Sequence, residues 1–197
     1  MLNIAVLVSG GGTNLQALID AQRGGQIQNG VLKLVASSSD KAYALSRARQ
    51  ADIETLVIDS DDFDRTLCAV LDDHKIGLVV LAGFMRILGK EVIQKYRGRI
   101  INIHPALIPS FCGKGMYGLR VHEAALERGV KLTGATVHLV NEIPDGGPIL
   151  LQQAVEVLES DTPEILQKRV MEEAEWKLLP KAVAMFCNGA FDRGNET

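Results

Sequence analysis

Asn102, Ile103, His104, Pro105 and Ala106 follow one another directly, placing an amide and an imidazole two residues apart at the end of an apolar run. On an extended strand the two polar side chains share one face while Ile101 and Ile103 take the other. Pro105 then ends the strand. A carboxylate, Asp145, lies in the glycine-flexible run Asp145-Gly146-Gly147-Pro148 and is available to orient the histidine. These three groups suit acyl transfer better than a packed core. When an amine attacks a formyl carbon, Asn102 would donate its amide to the developing oxyanion. His104 would donate as imidazolium and shuttle the proton, and Asp145 would favour that charged form. At an ordinary pKa of about 6.5 such a histidine is about one-quarter charged at pH 7; raised to about 8 it is about nine-tenths charged. No enzyme nucleophile is required, in keeping with the lack of a Gly-x-Ser-x-Gly elbow. Competing with this is a plain structural role, since strand-end histidines are commonly hydrogen-bonded scaffolding and Asp-Gly is a common turn.

A second motif, Ser9-Gly10-Gly11-Gly12-Thr13-Asn14-Leu15, joins a first strand to a first helix. Its glycines permit positive φ and close approach to a ligand. Thr13 or Asn14 is expected to cap the helix, whose free N–H groups favour a phosphate. It is not a Walker loop, for no Gly-Lys-Ser/Thr follows, and Leu15 spoils the dinucleotide pattern. His122-Glu123 opens a His-Glu-x-x-His pattern that Leu126 breaks, so no metal is expected. His138 shares a strand face with Thr136 and is placed to line the site.

Short β-branched runs alternate with longer helical patterns along the chain. Strands are read at 3–8, 31–37, 55–58, 78–82 and 99–103, and helices around Leu15–Ile19, 42–50, 63–73 and 90–97. That is the rhythm of an α/β fold with a mostly parallel twisted sheet flanked by helices. Residues 111–118 read as a loop over a site and 121–128 as a helix. Strands at 136–140 and 149–157 form an antiparallel C-terminal pair, with Asp145-Gly146-Gly147 as a tight connection. A last helix spans 163–186, started by a Thr162 cap and Pro163, with Pro180 expected to bend or interrupt it.

The 197 residues suffice for one substantial core, taken as a single domain over 1–197. A net charge of −3 with 47% apolar and 23% charged residues excludes a disordered or polyanion-binding chain, so no nucleic-acid partner is expected. Three cysteines without a Cys-x-x-Cys pair fit a reducing compartment. The opening apolar run lacks a charged leader and is too short for a membrane span, which points to a cytoplasmic, membrane-free protein. Either a monomer or a homodimer is expected, a choice the sequence leaves open.

With Leu81-Ala82-Gly83-Phe84-Met85-Arg86-Ile87-Leu88, the Asn102–Pro109 run and Thr133 through Ile149 added to the glycine loop, the chain resembles the phosphoribosylglycinamide formyltransferases over nearly its whole length. The resemblance implies a Rossmann-like domain that moves a formyl group from 10-formyltetrahydrofolate to the amine of glycinamide ribonucleotide in purine synthesis. It implies a phosphate/nucleotide half, 1–100, and a catalytic and folate-binding half, 101–197. By the same resemblance Gly12, Thr13, Asn14 and Glu175 bind the ribonucleotide, and Met85, Arg86, Ile87, Leu88 and Asn102 bind the folate. Asn102, His104 and Asp145 are the catalytic trio. Two places depart from the family pattern: Ser60 stands where an arginine is common, and Cys112 where proline is usual. The alternatives are a deformylase, a tRNA formyltransferase, whose extra domains this short chain is not expected to hold, or a non-catalytic nucleotide binder on the same fold.

Overall fold

The computed structural model describes residues 1–191, so the last six residues of the expected 1–197 domain lie outside the described residues. Seven strands, Leu2–Val8 (β1), Gly30–Ser37 (β2), Glu54–Val57 (β3), Ile76–Leu81 (β4), Ile100–His104 (β5), Leu132–Leu139 (β6) and Ile149–Glu156 (β7), form one sheet in the order β3-β2-β1-β4-β5-β6-β7. β1 to β5 are parallel, and β6 and β7 are antiparallel additions. The helices are Thr13–Arg23 (α1), Tyr43–Gln50 (α2), Phe63–Asp73 (α3), Lys90–Lys95 (α4), Leu119–Arg128 (α5), Pro163–Val170 (α6) and Trp176–Cys187 (α7). None of them is long and apolar enough to cross a membrane.

β1 shows why the parallel strands are apolar on both faces. Ile4, Val6 and Val8 pack with α1, α2 and α7, whereas Ala5 and Leu7 pack with α3 and α4. Period-two alternation thus feeds two cores instead of one core and solvent. Chain order reverses beside β1, since β2 and β3 lie on one side and β4 and β5 on the other. In sheets of this kind the crevice at the carboxyl ends of the strands flanking that reversal is where ligands fit.

Three expectations change. The β6–β7 pair is antiparallel, but its connection is the excursion 140–148 and not a tight turn. The last helix is interrupted at a π turn, Met171–Glu175, while Pro180 lies inside α7. A widened turn of this type aims side chains that a regular helix would point elsewhere. Neither Thr13 nor Asn14 caps α1; the cap position is Gly12, left-handed at φ 74°, without any side-chain bond. The Thr162 cap is as expected, its hydroxyl accepting from Ile165 N–H at 3.3 Å.

Gly12 is required twice over. Its backbone is left-handed, and a Cβ there would lie 2.6 Å from the Ala44 Cβ on α2. Gly12→Ala is therefore expected to lower unfolding free energy by about 1–3 kcal/mol. Gly10→Ala, with open space around it, should change it by less than about 0.5 kcal/mol. Urea denaturation of the two variants measures the difference, and equal losses would refute the packing argument.

Candidate active site

β5 ends at the middle of the crevice, and its pairing with β6 sets the polar groups. Ile101 and Ile103 enter the core shared with α7. On the opposite face Asn102 pairs with His138 and His104 with Thr136. The antiparallel register therefore stacks four polar side chains over the sheet. The 140–148 excursion then returns Asp145 to the same place, held in a left-handed conformation at φ 54°.

The resulting network is tight. Asn102 Nδ2 donates to His138 Nε2 at 3.1 Å and lies 3.5 Å from Asp145 Oδ1. His138 Nδ1 donates to the Leu139 carbonyl at 2.8 Å, which leaves Nε2 as the acceptor for Asn102. His104 Nδ1 lies 3.6 Å from Asp145 Oδ2, while its Nε2 is 2.8 Å from the Phe111 carbonyl oxygen. A carbonyl only accepts, so Nε2 carries the proton and the lone pair of a neutral His104 sits on Nδ1, beside the carboxylate. Gly113 N–H donates to Asp145 Oδ2 at 2.8 Å.

Burial decides the charge of His104. It is only 4% exposed, and desolvation pushes its imidazole below the ordinary value despite the opposing Asp145 carboxylate and Phe111 carbonyl; His138 adds to the lowering. This influence runs against the expected precharged imidazolium. Burial also acts to raise Asp145, but the contacts with His138, Gly113 N–H and His104 outweigh it and hold the carboxyl low. Burial thus biases the imidazole toward its neutral form, while the contacts of Asp145 bias the carboxyl toward its ionised form.

Around this centre lies a cavity of about 550 Å³ lined by residues from the ends of β4 and β5, from 113–118, from α5 and from the π turn. A volume of that size accommodates a small substrate. Asn14 reaches it from α1 and donates to Glu175 Oε2 at 2.7 Å. Glu175 is 6% exposed and burial pushes its carboxyl up, opposed by the Asn14 amide. A smaller hollow of about 140 Å³ shares Asn102 and Asp145 and is walled by Leu81, Phe84, Leu88, Ile93 and Val140. At its rim Ile87 is exposed, Leu88 is buried and the Arg86 guanidinium sits 4.3 Å over the Phe63 ring, while the exposed Met85 lines the larger cavity. The Met85 N–H is taken by the Ser9 hydroxyl at 2.9 Å, which ties the glycine loop to this segment.

Among the residues singled out from sequence, the structure brings Asn102, His104 and Asp145 into one cluster and Asn14 and Glu175 into another on the same cavity. Arg86 and Ile87 edge both hollows, Met85 the larger alone and Leu88 the smaller alone. Gly12 and Thr13 stand at the start of α1 but do not line the larger cavity, where Asn14 does. Sequence reasoning missed the Phe111 carbonyl and the Gly113 N–H, because backbone groups carry no residue-type signal. Glycine density in 111–118 was the available hint. It also missed Gln167 and Met171, which line the cavity with Glu175. A spacing of four from 167 to 175 was that signal. No group of three or more histidine, cysteine or acidic side chains able to hold a metal occurs among the described residues.

Residues 2–183 match the formyl transferase family. The chain belongs to that family. It is 42% identical to the human trifunctional purine biosynthetic protein adenosine-3 over 97% of its own length, but spans 19% of that protein. It is 40% identical to the Escherichia coli phosphoribosylglycinamide formyltransferase, covering 95% of this chain and 88% of the relative. Its fold superposes on the glycinamide ribonucleotide transformylase 1 of Symbiobacterium toebii with TM-score 0.88 at 42% identity, over 96% and 89% of the two chains. A formyltetrahydrofolate deformylase from Pseudomonas syringae superposes with TM-score 0.85 at 26% identity, over 95% of this chain and 61% of that one.

His122 of α5 gives the site a pH signature. It is fully buried, neither ring nitrogen has a partner among the described residues, and burial together with His104 lowers its pKa to about 4. The unfolded chain takes up this proton near pH 6.5 and the folded one only near 4, so acid favours unfolding across that interval. Stability should fall by up to about 3 kcal/mol between pH 6.5 and 4 on account of this group. His122→Leu should flatten the fall. Urea titrations at several pH values measure it, and an unchanged slope in the variant would contradict the assignment.

Proposed function

We propose that this protein transfers a formyl group from 10-formyltetrahydrofolate to the amine of glycinamide ribonucleotide; the names of its relatives indicate formyl transfer to phosphoribosylglycinamide for them. The observation that carries the reading is His104 Nδ1 3.6 Å from Asp145 Oδ2. Asn102 lies beside it and lines both hollows. The smaller hollow, walled by Leu81, Phe84, Leu88, Ile93 and Val140, suits the flat ring of a folate, with Arg86 and Ile87 at its edge and Met85 beside them. The larger cavity suits the ribonucleotide, with Gly12, Thr13 and the α1 N-terminus toward the phosphate and Asn14 and Glu175 toward its polar body. In this reading the half 1–100 supplies the phosphate loop, and 101–197 supplies the catalytic groups.

The amine nitrogen attacks the formyl carbon, forming a C–N bond as the carbonyl electron pair moves onto oxygen. The Asn102 amide, whose second N–H makes only a long contact with Asp145, donates to that oxyanion. His104 Nδ1 takes the proton the amine releases, and Asp145 stabilises the imidazolium so formed. When the oxyanion collapses, the bond to the folate nitrogen breaks and the same proton passes to that nitrogen. Starting neutral makes His104 a competent base; starting charged would not.

A deformylase would use water in place of the amine, and the shared fold does not separate the two. Purified protein with 10-formyltetrahydrofolate should release deformylated folate, followed by absorbance, only when glycinamide ribonucleotide is present. Equal release without the ribonucleotide would favour hydrolysis, and none in either case would sink the proposal. Asp145→Asn should lower kcat by about 10²- to 10⁴-fold with unchanged circular dichroism; wild-type kcat would remove Asp145 from the mechanism.

A further inference from the structure

Three successive carbonyls of the glycine loop are tied down. Ala44 N–H of α2 donates to the Gly10 carbonyl at 3.0 Å, Arg47 Nε–H to the Gly11 carbonyl at 2.8 Å, and Gln16 N–H of α1 to the Gly12 carbonyl at 2.9 Å. Ala44 and Arg47 stand three apart on α2, so they meet the loop from one helix face. In a planar trans peptide the carbonyl and the N–H that follows it point opposite ways. Pinning Gly10 and Gly11 to α2 therefore turns the N–H groups of Gly11 and Gly12 away from it. Just beyond, α1 opens at Thr13 without a side-chain cap, so its first N–H groups have no partner within the helix. Asn14 is 8% exposed and lines the larger cavity, and its Oδ1 has no hydrogen-bond partner among the described residues. A buried polar atom left unpaired in a cavity wall is the mark of a ligand contact.

We propose that Arg47 is a positioning residue for the substrate phosphate: it holds the Gly11 carbonyl so that the loop and the start of α1 present their N–H groups to that anion. The guanidinium is itself held in place. Its Nη1 donates to Gln16 Oε1 at 3.1 Å, and the group lies 5.2 Å over the Tyr43 ring. A Cβ at Gly12 would meet the Arg47 Cδ at 3.4 Å, so the stem of the side chain packs against the loop as well. Arg47 is absent from the wall of the larger cavity and lines instead a separate hollow along α1 and α7, with Thr13, Gln16 and Trp176. It therefore acts through the Gly11 carbonyl and not by touching the substrate. The phosphate is that of the ribonucleotide proposed above, on which the assignment rests.

The test separates the bond to Gly11 from the charge of Arg47. In Arg47→Gln the amide nitrogen falls where Nε stood and can donate to the Gly11 carbonyl, but the charge is gone. Arg47→Met has similar length with neither donor nor charge. Both replacements are good helix formers at a half-exposed helix position, so folding should be kept. Glycinamide ribonucleotide is titrated calorimetrically into each protein without folate. Its Kd should stay within about threefold of wild type in Arg47→Gln and rise about tenfold or more in Arg47→Met. In turnover, Arg47→Met should raise KM for the ribonucleotide with kcat nearly unchanged, and keep kcat/KM for the dephosphorylated ribonucleoside at the wild-type value. A merely structural role would lower both substrates together. Equal weakening in Arg47→Gln and Arg47→Met would assign the effect to charge and overturn the positioning role. Unaltered binding in Arg47→Met, or a matching loss with the ribonucleoside, would overturn it too. A protein whose variants bind the ribonucleotide in the expected order, but whose wild type transfers no formyl group, overturns the functional reading and leaves the role of Arg47 standing.

Discussion

The structure depends on how a buried imidazole is held against a carboxylate. Removing His104 from water favours its neutral form, and the ionised Asp145 at 3.6 Å opposes this. Neither influence alone gives a useful site. Desolvation alone would leave a base too weak to take a proton, whereas a dominant carboxylate would leave the base already occupied. Their opposition keeps Nδ1 free at rest and provides a charged partner once it has accepted a proton. The Phe111 carbonyl and the Gly113 N–H fix the two groups in that relation through main-chain bonds.

That arrangement needs the sheet to supply three things at one point. Parallel β1, β4 and β5 bring Asn14 at the start of α1, the Met85–Ile87 segment and the Asn102–His104 strand end to a common crevice. Antiparallel β6 adds His138 and Thr136 in register with Asn102 and His104. Thr136 braces the chain beyond the strand, its hydroxyl donating to the Ala106 carbonyl at 2.7 Å and accepting from Ile108 N–H at 3.1 Å. The π turn closes the far side by presenting Met171 and Glu175 to the cavity. An acid in that turn, buried against Asn14, links the C-terminal helix to the start of α1.

Much of this was legible in the residues. Two-residue spacing placed Asn102 and His104 on one face because strand geometry leaves no other choice, and the same alternation paired Thr136 with His138. The parallel core was readable from continuous β-branched runs, which only a sheet covered on both faces uses. Features governed by backbone dihedrals were not. The cap of α1 is Gly12 because its left-handed backbone turns the chain into the helix, leaving Thr13 and Asn14 already inside it. The helix interruption sits at Met171–Glu175, where residue types are ordinary helix formers, and not at Pro180. The burial that opposes a charged His104 was hidden for a related reason: a nearby aspartate is visible in sequence, but depth of burial is a property of the packed chain.

The balance between burial and carboxylate is open to direct observation. Titration of the His104 ring by NMR, in wild type and in Asp145→Asn, isolates the two influences at one nucleus. The account predicts a wild-type midpoint below the ordinary histidine value of about 6.5, and a midpoint lower still once the carboxylate is gone. A wild-type midpoint above that value, or one that Asp145→Asn leaves in place, would contradict it.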